Sequence, residues 1–137
     1  MLTNRRTVHI NWGDCDPAGI VYYPRFFEWF DESTAALFEA AGLEKWGMVR
    51  GKGIVIPMVD TRSRFMIPSR FGEDVVIESS ITRFGRASFD VHHKLLKGEE
   101  LAAECFETRV WTSMEPHGTM QFKAVEIPQE VRDRFSK

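Results

Sequence analysis

Cysteine is scarce in this sequence, with only Cys15 and Cys105 in 137 residues, and the opening stretch MLTNRRTVHINW carries no apolar run of the kind that heads a secreted chain. A disulfide framework is excluded, and the expectation is a reduced thiol pair in the cytoplasm. Long hydrophobic runs are missing too. The longest, Ile54 to Val59, is broken by Pro57 and is far too short for a membrane-spanning helix. Neither sign of charge is in excess: 18 Lys and Arg against 20 Asp and Glu give a formal net charge of -2. No global field therefore draws nucleic acid or an anionic membrane, and any anion must be bound locally. No repeat, low-complexity tract or Pro/Gly/Ser-rich linker divides the chain, so one domain over residues 1–137 is expected.

What is present is apolar and aromatic. Hydrophobic residues make up 43% of the chain and include 11 Phe, enough core material to exclude disorder as the main theme. Thr7 to Trp12 alternates Val8, Ile10 and Trp12 against His9 and Asn11, the two-residue period of a half-buried strand. Gly13 to Tyr23 collects turn formers and ends before Pro24, a residue favoured at the first position of a helix. From Pro24 to about Ala41 the sequence predicts that helix, with Gly42 as its C-cap. Glu28, Glu32 and Glu39 fall on one stripe beside Asp31, while Phe26, Phe27, Trp29, Phe30, Leu37 and Phe38 cover most of the remainder. So wide an apolar arc predicts a helix wrapped on several sides.

A weakly helical or irregular stretch is expected from Leu43 to Gly51. Beyond Gly53 the runs are β-rich: Ile54 to Ile67, Asp74 to Phe84, Ala87 to Leu96, Leu101 to Trp111, and a short Gln121 to Ile127. Short turn-like breaks, including Glu115 to Gly118, predict that neighbours pair antiparallel as a meander, and Pro128 can open a terminal helix over Gln129 to Phe135. The sum is an α+β arrangement, a curved antiparallel sheet of five to six strands wrapped around one long central helix, which is the hot-dog fold.

The loop GDCDPAGIVYYP holds the densest set of unusual residues. Two carboxylates, Asp14 and Asp16, flank a thiol just ahead of a helix start. Asp and Gly are ordinary turn and capping residues, so each alone has a purely structural explanation. Together they offer more. A helix N-terminus presents unpaired N–H groups to a developing oxyanion, and a carboxylate beside it can act as nucleophile or general base, the two parts that acyl transfer needs.

The run GDCDPAGIVYYPRFFEWFD resembles the signature of the 4-hydroxybenzoyl-CoA thioesterase family of hot-dog proteins, and GIVIPMV, FGEDVVIES and RFGRASF extend the resemblance from about Val8 to about Pro128. It implies an acyl-CoA thioester hydrolase that needs no metal or redox cofactor. Asp16 would be the catalytic carboxylate, and Tyr23 would supply the main-chain N–H that polarises the thioester carbonyl. Asp31 would hydrogen-bond a polar group on the acyl moiety, unless it belongs to a solvated helix face. Some hot-dog thioesterases carry their catalytic acid on this helix, which makes Asp31 or Glu32 the rival to Asp16. Arg86, with Arg83 nearby, matches a thinned version of the family's cationic cluster for coenzyme A, and Arg62, Arg64, Arg70 and Lys94 are further candidates for its phosphates.

Aromatic acyl groups such as benzoyl or hydroxybenzoyl, or short aliphatic ones, are the implied substrates. Ile56 stands where a relative specialised for hydroxybenzoyl groups has a hydroxyl, which counts against that substrate. The resemblance also implies a homo-oligomer, a tetramer built as a dimer of dimers with sites at subunit interfaces, and no nucleic-acid or membrane partner. Two other classes are compatible with the fold: a non-catalytic acyl-CoA sensing module, and a hot-dog hydratase or dehydratase, which needs a His with an acid. No metal site is expected from His9, His92, His93, His117, Cys15 and Cys105, because His92 and His93 must point to opposite strand faces and no paired ligand motif occurs. Cys15 and Asp14 read as packing and loop-ordering residues.

Overall fold

Strict alternation builds the centre of the sheet. In the computed structural model, which describes residues 1–44, 48–114 and 121–136, Asp74–Phe84 (β4) turns Val75, Ile77, Ser79 and Ile81 inward, and Ser88–Lys97 (β5) does the same with Phe89, Val91, His93 and Leu95. The other strands are Thr3–His9 (β1), Ile54–Val55 (β2), Met58–Phe65 (β3), Glu100–Val110 (β6), Thr112–Ser113 (β7) and Lys123–Ala124 (β8). A five-stranded antiparallel sheet runs β1-β4-β5-β6-β3, and a small sheet runs β2-β7-β8. Register shifts at Met58/Asp60, Ile81/Arg83 and Leu95/Leu96 mark irregularities of the kind that bend strands.

Several sequence expectations are corrected here. The first strand is Thr3–His9 rather than Thr7 to Trp12, because Arg6 points toward the helix and satisfies its guanidinium on Ser33 Oγ (2.7 Å), Trp29 C=O (3.2 Å) and Glu32 (3.1 Å). A charged residue on the inner face hides the period. Trp12 is exposed, in a 3₁₀ turn (Trp12–Asp14). Ile54 to Ile67 is two strands in different sheets, since Pro57 has no N–H for a ladder. The meander holds only for β4-β5-β6. The connection Met66 to Glu73 is longer than a hairpin loop, and β3 pairs with β6 while β1 takes the free edge of β4. Gln121 to Ile127 contributes only the two residues of β8. The stretch Leu43 to Gly51 is described only in part, with one π-type turn at Met48–Lys52, and the turn Glu115 to Gly118 lies outside the described residues.

The long helix, Pro24–Ala40 (α1), follows the prediction. Its end is a Schellman motif: Gly42, at φ 79°, donates to Glu39 C=O (2.9 Å) and Leu43 to Phe38 C=O (2.8 Å). Its buried stripe is Phe26, Trp29, Phe30, Ser33, Thr34, Leu37 and Phe38, one face and not several. Asp31 and Glu32 are exposed, and α1 lies over β1, β4 and β5, leaving β3 exposed along nearly its whole length. The stripe reads apolar, polar, apolar. Phe26, Trp29 and Phe30 pack with Ile10, Val75, Ile77 and Leu95, whereas Leu37 and Phe38 pack with Ile81, Phe89, Trp111 and Phe135. Ser33 and Thr34 fall between the two clusters. A final helix, Gln129–Arg134 (α2), closes the second cluster through Val131.

Candidate active site

The Asp-Pro-Ala-Gly sequence makes a tight turn for reasons visible in each residue. Gly19 N–H donates to Asp16 C=O (2.9 Å), Asp16 N–H donates to Ile20 C=O (2.9 Å), and Gly19 sits at φ 79°, where a side chain would be strained. Asp16 Oδ1 accepts from Ala18 N–H (2.8 Å), which locks the turn from its first position. Oδ2 has no hydrogen bond among the described residues, so half of the carboxylate is spent on the fold and half is free. The flanking residues Cys15 and Val21 pair, and Ile20 bridges to Arg70. Asp14 orders the preceding turn, as expected: its Oδ2 accepts from Asn11 N–H (2.9 Å) and its C=O from Tyr22 N–H (2.8 Å).

That last bond aims the chain into α1. Pro24 has no N–H, Arg25 donates to Tyr22 C=O and Phe26 to Tyr23 C=O, and among the described residues the Tyr23 N–H has no partner. An unpaired amide thus stands at the positive end of a helix dipole, where the segment opened by the Asp16 turn enters α1. A cavity of about 310 Å³ opens beside it, walled by Ile20, Val21, Tyr23, Phe26, Phe65, Met66, Ile67, Pro68 and Ser69. Its surface is apolar and aromatic, with the Phe26 and Phe65 rings 4.9 Å apart.

Asp31 and Ile56 lie elsewhere. Eight residues along α1 from Tyr23, about 12 Å at 1.5 Å per residue, Asp31 Oδ1 accepts from Arg109 Nη2 (2.7 Å). Arg109 Nη1 donates to Ile56 C=O (3.0 Å), and both Ile56 and Arg109 line a second apolar cavity of about 300 Å³. Behind Arg109 is a buried polar chain that sequence reasoning missed. Arg109 Nε donates to Glu107 Oε1 (2.8 Å), Thr34 Oγ1 donates to the same oxygen (2.8 Å), and His93 has Thr34 Oγ1 at Nε2 (3.1 Å) and Ser79 Oγ at Nδ1 (2.6 Å). Glu107 Oε2 is 3.2 Å from His93 Nε2, close enough for charge interaction but off a hydrogen-bond axis. Burial pushes the Glu107 carboxyl up, yet His93 and Arg109 outweigh it and hold the group at about 2. Thr34, Ser79, His93 and Glu107 lie between the two apolar clusters and are sealed from solvent, which makes them structural, while Arg109 links them to the wall of the second cavity.

Arg83 and Arg86 are not brought to Asp16 within one chain. Ile10 and Glu73 join the loop to the start of β4, and Arg83 stands at the other end of that strand, about 30 Å away at 3.4 Å per residue. Arg83 is also committed to Asp90 (2.8 Å), a pairing that raises its pKa; Arg86 is exposed, with no side-chain partner among the described residues. Among the described residues, Arg70 bridges to Ile20 of the turn through its main chain, and the Arg25 guanidinium lies 3.5 Å from Asp14 of the same loop. His92 and His93 point to opposite faces as expected. His92 stacks on Phe106 and meets Glu104 (3.0 Å) on the outer face, His93 is buried, His9 pairs with Asp74 on the surface, and His117 lies outside the described residues.

The two thiols differ in environment. Burial pushes Cys105 up to about 11, while Cys15 is half-buried in the loop before α1. Alkylation of the native protein, followed by mass spectrometry, is expected to label Cys15 well before Cys105. Equal labelling rates would contradict that placement.

Comparison with known proteins agrees with the fold. Residues 10–135 match the family model described as the thioesterase-like superfamily. The sequence is 30% identical over 128 residues to 4-hydroxybenzoyl-CoA thioesterase of Pseudomonas sp. (strain CBS-3), spanning 88% of this chain and 89% of that one. It is 27% identical over 116 residues to 1,4-dihydroxy-2-naphthoyl-CoA hydrolase of Synechococcus sp. (strain WH7803), spanning 80% and 76%. Among solved structures, a gentisyl-coenzyme A thioesterase superposes with a TM-score of 0.84 at 29% identity, over 98% of this chain and 100% of that one. A 4-hydroxybenzoyl-CoA thioesterase, crystallised as an aspartate-to-asparagine variant with 4-hydroxybenzoyl-CoA, superposes with a TM-score of 0.90 at 28% identity, over 98% and 99%. The chain belongs to the thioesterase-like superfamily and, within it, to the 4-hydroxybenzoyl-CoA thioesterase family of hot-dog proteins.

Proposed function

We propose that the Asp16 carboxylate and the Tyr23 amide are the two working groups of an acyl-CoA thioesterase, which releases free acid and coenzyme A. The enzyme is an acyl-CoA thioester hydrolase. The observation that carries this reading is the unpaired Tyr23 N–H at the start of α1, on the same loop-to-helix segment as a carboxylate with one oxygen free of hydrogen bonds among the described residues. The amide holds the developing oxyanion while Asp16 attacks the carbonyl or takes a proton from water. Neither step calls for a metal or redox cofactor. The apolar and aromatic cavity beside Tyr23 suits a benzoyl, hydroxybenzoyl or short aliphatic acyl group. Because Tyr23 acts through its main chain, Tyr23→Phe is expected to leave kcat within about twofold of wild type. A variant that loses most of its turnover would refute the backbone role.

The protein acts as a cytoplasmic homo-oligomer, a tetramer of two dimers. Two features support this reading: β3 is an edge strand exposed along nearly its whole length, and the cations at Arg83 and Arg86 are too distant to hold the nucleotide of a substrate bound at Asp16 of the same chain. A neighbouring subunit supplies them, together with Asp31 and Ile56. Sedimentation at micromolar concentration is expected to give a tetramer, and a monomer would remove this part of the proposal. Thiol release from benzoyl-, 4-hydroxybenzoyl-, phenylacetyl- and short aliphatic acyl-CoA tests the activity. Hydrolysis of at least one is expected; binding without hydrolysis of any would instead favour a sensing module.

A further inference from the structure

The five-stranded sheet ends in two edge strands, β1 and β3, and an edge is a template for another strand. β1 has no carboxylate to answer Arg5 and Arg6 of a second copy. β3 carries both signs. Asp60, Arg62 and Arg64 are exposed on its outer face, and among the described residues neither the Asp60 nor the Arg64 side chain has a partner. The residues alternating with them, Thr61, Ser63 and Phe65, share the helix side of the sheet with Glu107, Cys105 and Ala103. Met58 and Val59 at one end, Phe65 and Met66 at the other, are large apolar residues left exposed. The segment is thus matched about its middle: two apolar residues, an acid and a hydroxyl lead to Arg62, and a hydroxyl, a base and two apolar residues follow it.

We propose that β3 pairs antiparallel with β3 of a second copy about a two-fold axis at Arg62, and that this seam joins two half-sites into one. The inference rests on the homo-oligomer reading above and names its surface. With the axis through a residue, inward side chains meet inward ones and both helices lie on one side of the joined sheet; with the axis between residues, inward positions meet outward ones. An axis at Ser63 sets Arg62 against Arg64, and one at Thr61 sets Met58 against Arg64. Only at Arg62 does Asp60 face Arg64 twice, Thr61 face Ser63, and the exposed apolar ends cover each other. Arg62 meets its own counterpart there, but its guanidinium is drawn over the Phe106 ring of its own chain, 4.4 Å from the centroid. The cavities follow the same symmetry. That of about 300 Å³ reaches Ile56 and Pro57 just before β3, and that of about 310 Å³ reaches Phe65 and Met66 at its end. Both are on the helix side, as the contact of Phe65 with Phe26 and the bond of Arg109 to Asp31 show. Within one chain they lie a strand length apart, about 27 Å for eight residues. Antiparallel pairing sets the start of one β3 against the end of the other, so the cavity beside Arg109 in one copy adjoins the cavity beside Tyr23 in its partner.

Charge reversal tests the seam. Asp60→Arg sets base against base at both pairs, and Arg64→Asp sets acid against acid. Each variant alone is expected to need a concentration about tenfold higher to assemble in sedimentation, and to lose acyl-CoA hydrolysis where it has come apart. The double variant, and an equimolar mixture of the two single variants, restore opposite charges at both pairs and are expected to recover assembly and turnover. Mixing does not repair a folding defect. Arg62→Cys is expected to form an intersubunit disulfide on mild oxidation, since directly opposite residues lie within disulfide reach, whereas Thr61→Cys and wild type are not. A disulfide in Thr61→Cys and none in Arg62→Cys would overturn the register. Single variants that assemble like wild type would overturn the β3 surface and leave the homo-oligomer standing; a monomeric wild type would remove both. Assembly that splits with turnover unchanged would overturn the joined site.

Discussion

Asp16→Asn is expected to lower thioester hydrolysis by about 10²–10⁴-fold if the carboxylate is a general base, and by more if it is the nucleophile. The substitution is informative because the turn survives it. Asparagine keeps a carbonyl oxygen where Oδ1 accepts from Ala18 N–H, and it leaves Pro17, Gly19 and the Asp16–Ile20 pairing untouched. It removes only the negative charge and the basicity of the free oxygen. Thermal stability should therefore stay close to wild type while turnover disappears. Asp16→Ala removes the turn bond as well, so the same loss of activity would come with a drop in stability of about 0.5–2 kcal/mol, the range measured for lost caps. If Asp16→Asn instead lost stability and activity in proportion, the carboxylate would be a turn-former with no chemical role. The apparent affinity for acyl-CoA should change little, since the cavity and the Tyr23 amide are intact.

Glu107→Gln is expected to destabilise the fold by about 1–3 kcal/mol, because it removes the charge of one of the two carboxylates that pair the buried Arg109 and leaves only Asp31 as its charged partner. For a domain of this size that is a fall in melting temperature of about 3–12 °C. The same residue sets an acid limb. Its carboxyl is held at about 2 against an ordinary value of 4.5, so its contribution to stability is complete above about pH 4.5 and is lost progressively as pH falls toward 2. Equilibrium unfolding of wild type between pH 5 and pH 3 should show that decline, and Glu107→Gln should flatten it. Matching slopes in the two proteins would place the acid sensitivity elsewhere. The readout differs from that of Asp16→Asn, where chemistry is lost and the fold persists.

Local sequence decides how much of this could be read in advance. The Asp16 to Tyr23 segment was legible because every feature of it is local: turn residues in fixed positions, a proline at the helix start, and a carboxylate between them. Strand β4 was legible to the residue, since its inward positions alternate and its ends are a turn at Gly72 and an Arg-Phe-Gly corner. Strand β1 was misplaced because Arg6 occupies an inward position. The buried chain from Ser79 to Arg109 was invisible for the same reason, on a larger scale. In ELAAECFETRV the hydrophobic pattern favours Phe106 and Val110 as the inner residues, yet pairing with Val91 and Phe89 turns Glu107 and Arg109 inward. A Glu-x-Arg pair on one strand face, a His on the next strand and Ser33-Thr34 on the helix stripe are the signals that together point to it. The separation of Arg83 and Arg86 from Asp16 depended on strand order, which adjacent turns do not encode.

Single-turnover thiol release, with Asp16→Asn, Asp31→Asn and Glu32→Gln measured beside wild type on the best acyl-CoA substrate, tests the central claim most directly. The chemical step should vanish in Asp16→Asn alone, with Asp31→Asn altering substrate preference at most and Glu32→Gln close to wild type. An Asp16→Asn variant that still turns over, while Asp31→Asn or Glu32→Gln is inactive, would move the catalytic carboxylate from the turn to the helix and contradict the site described here.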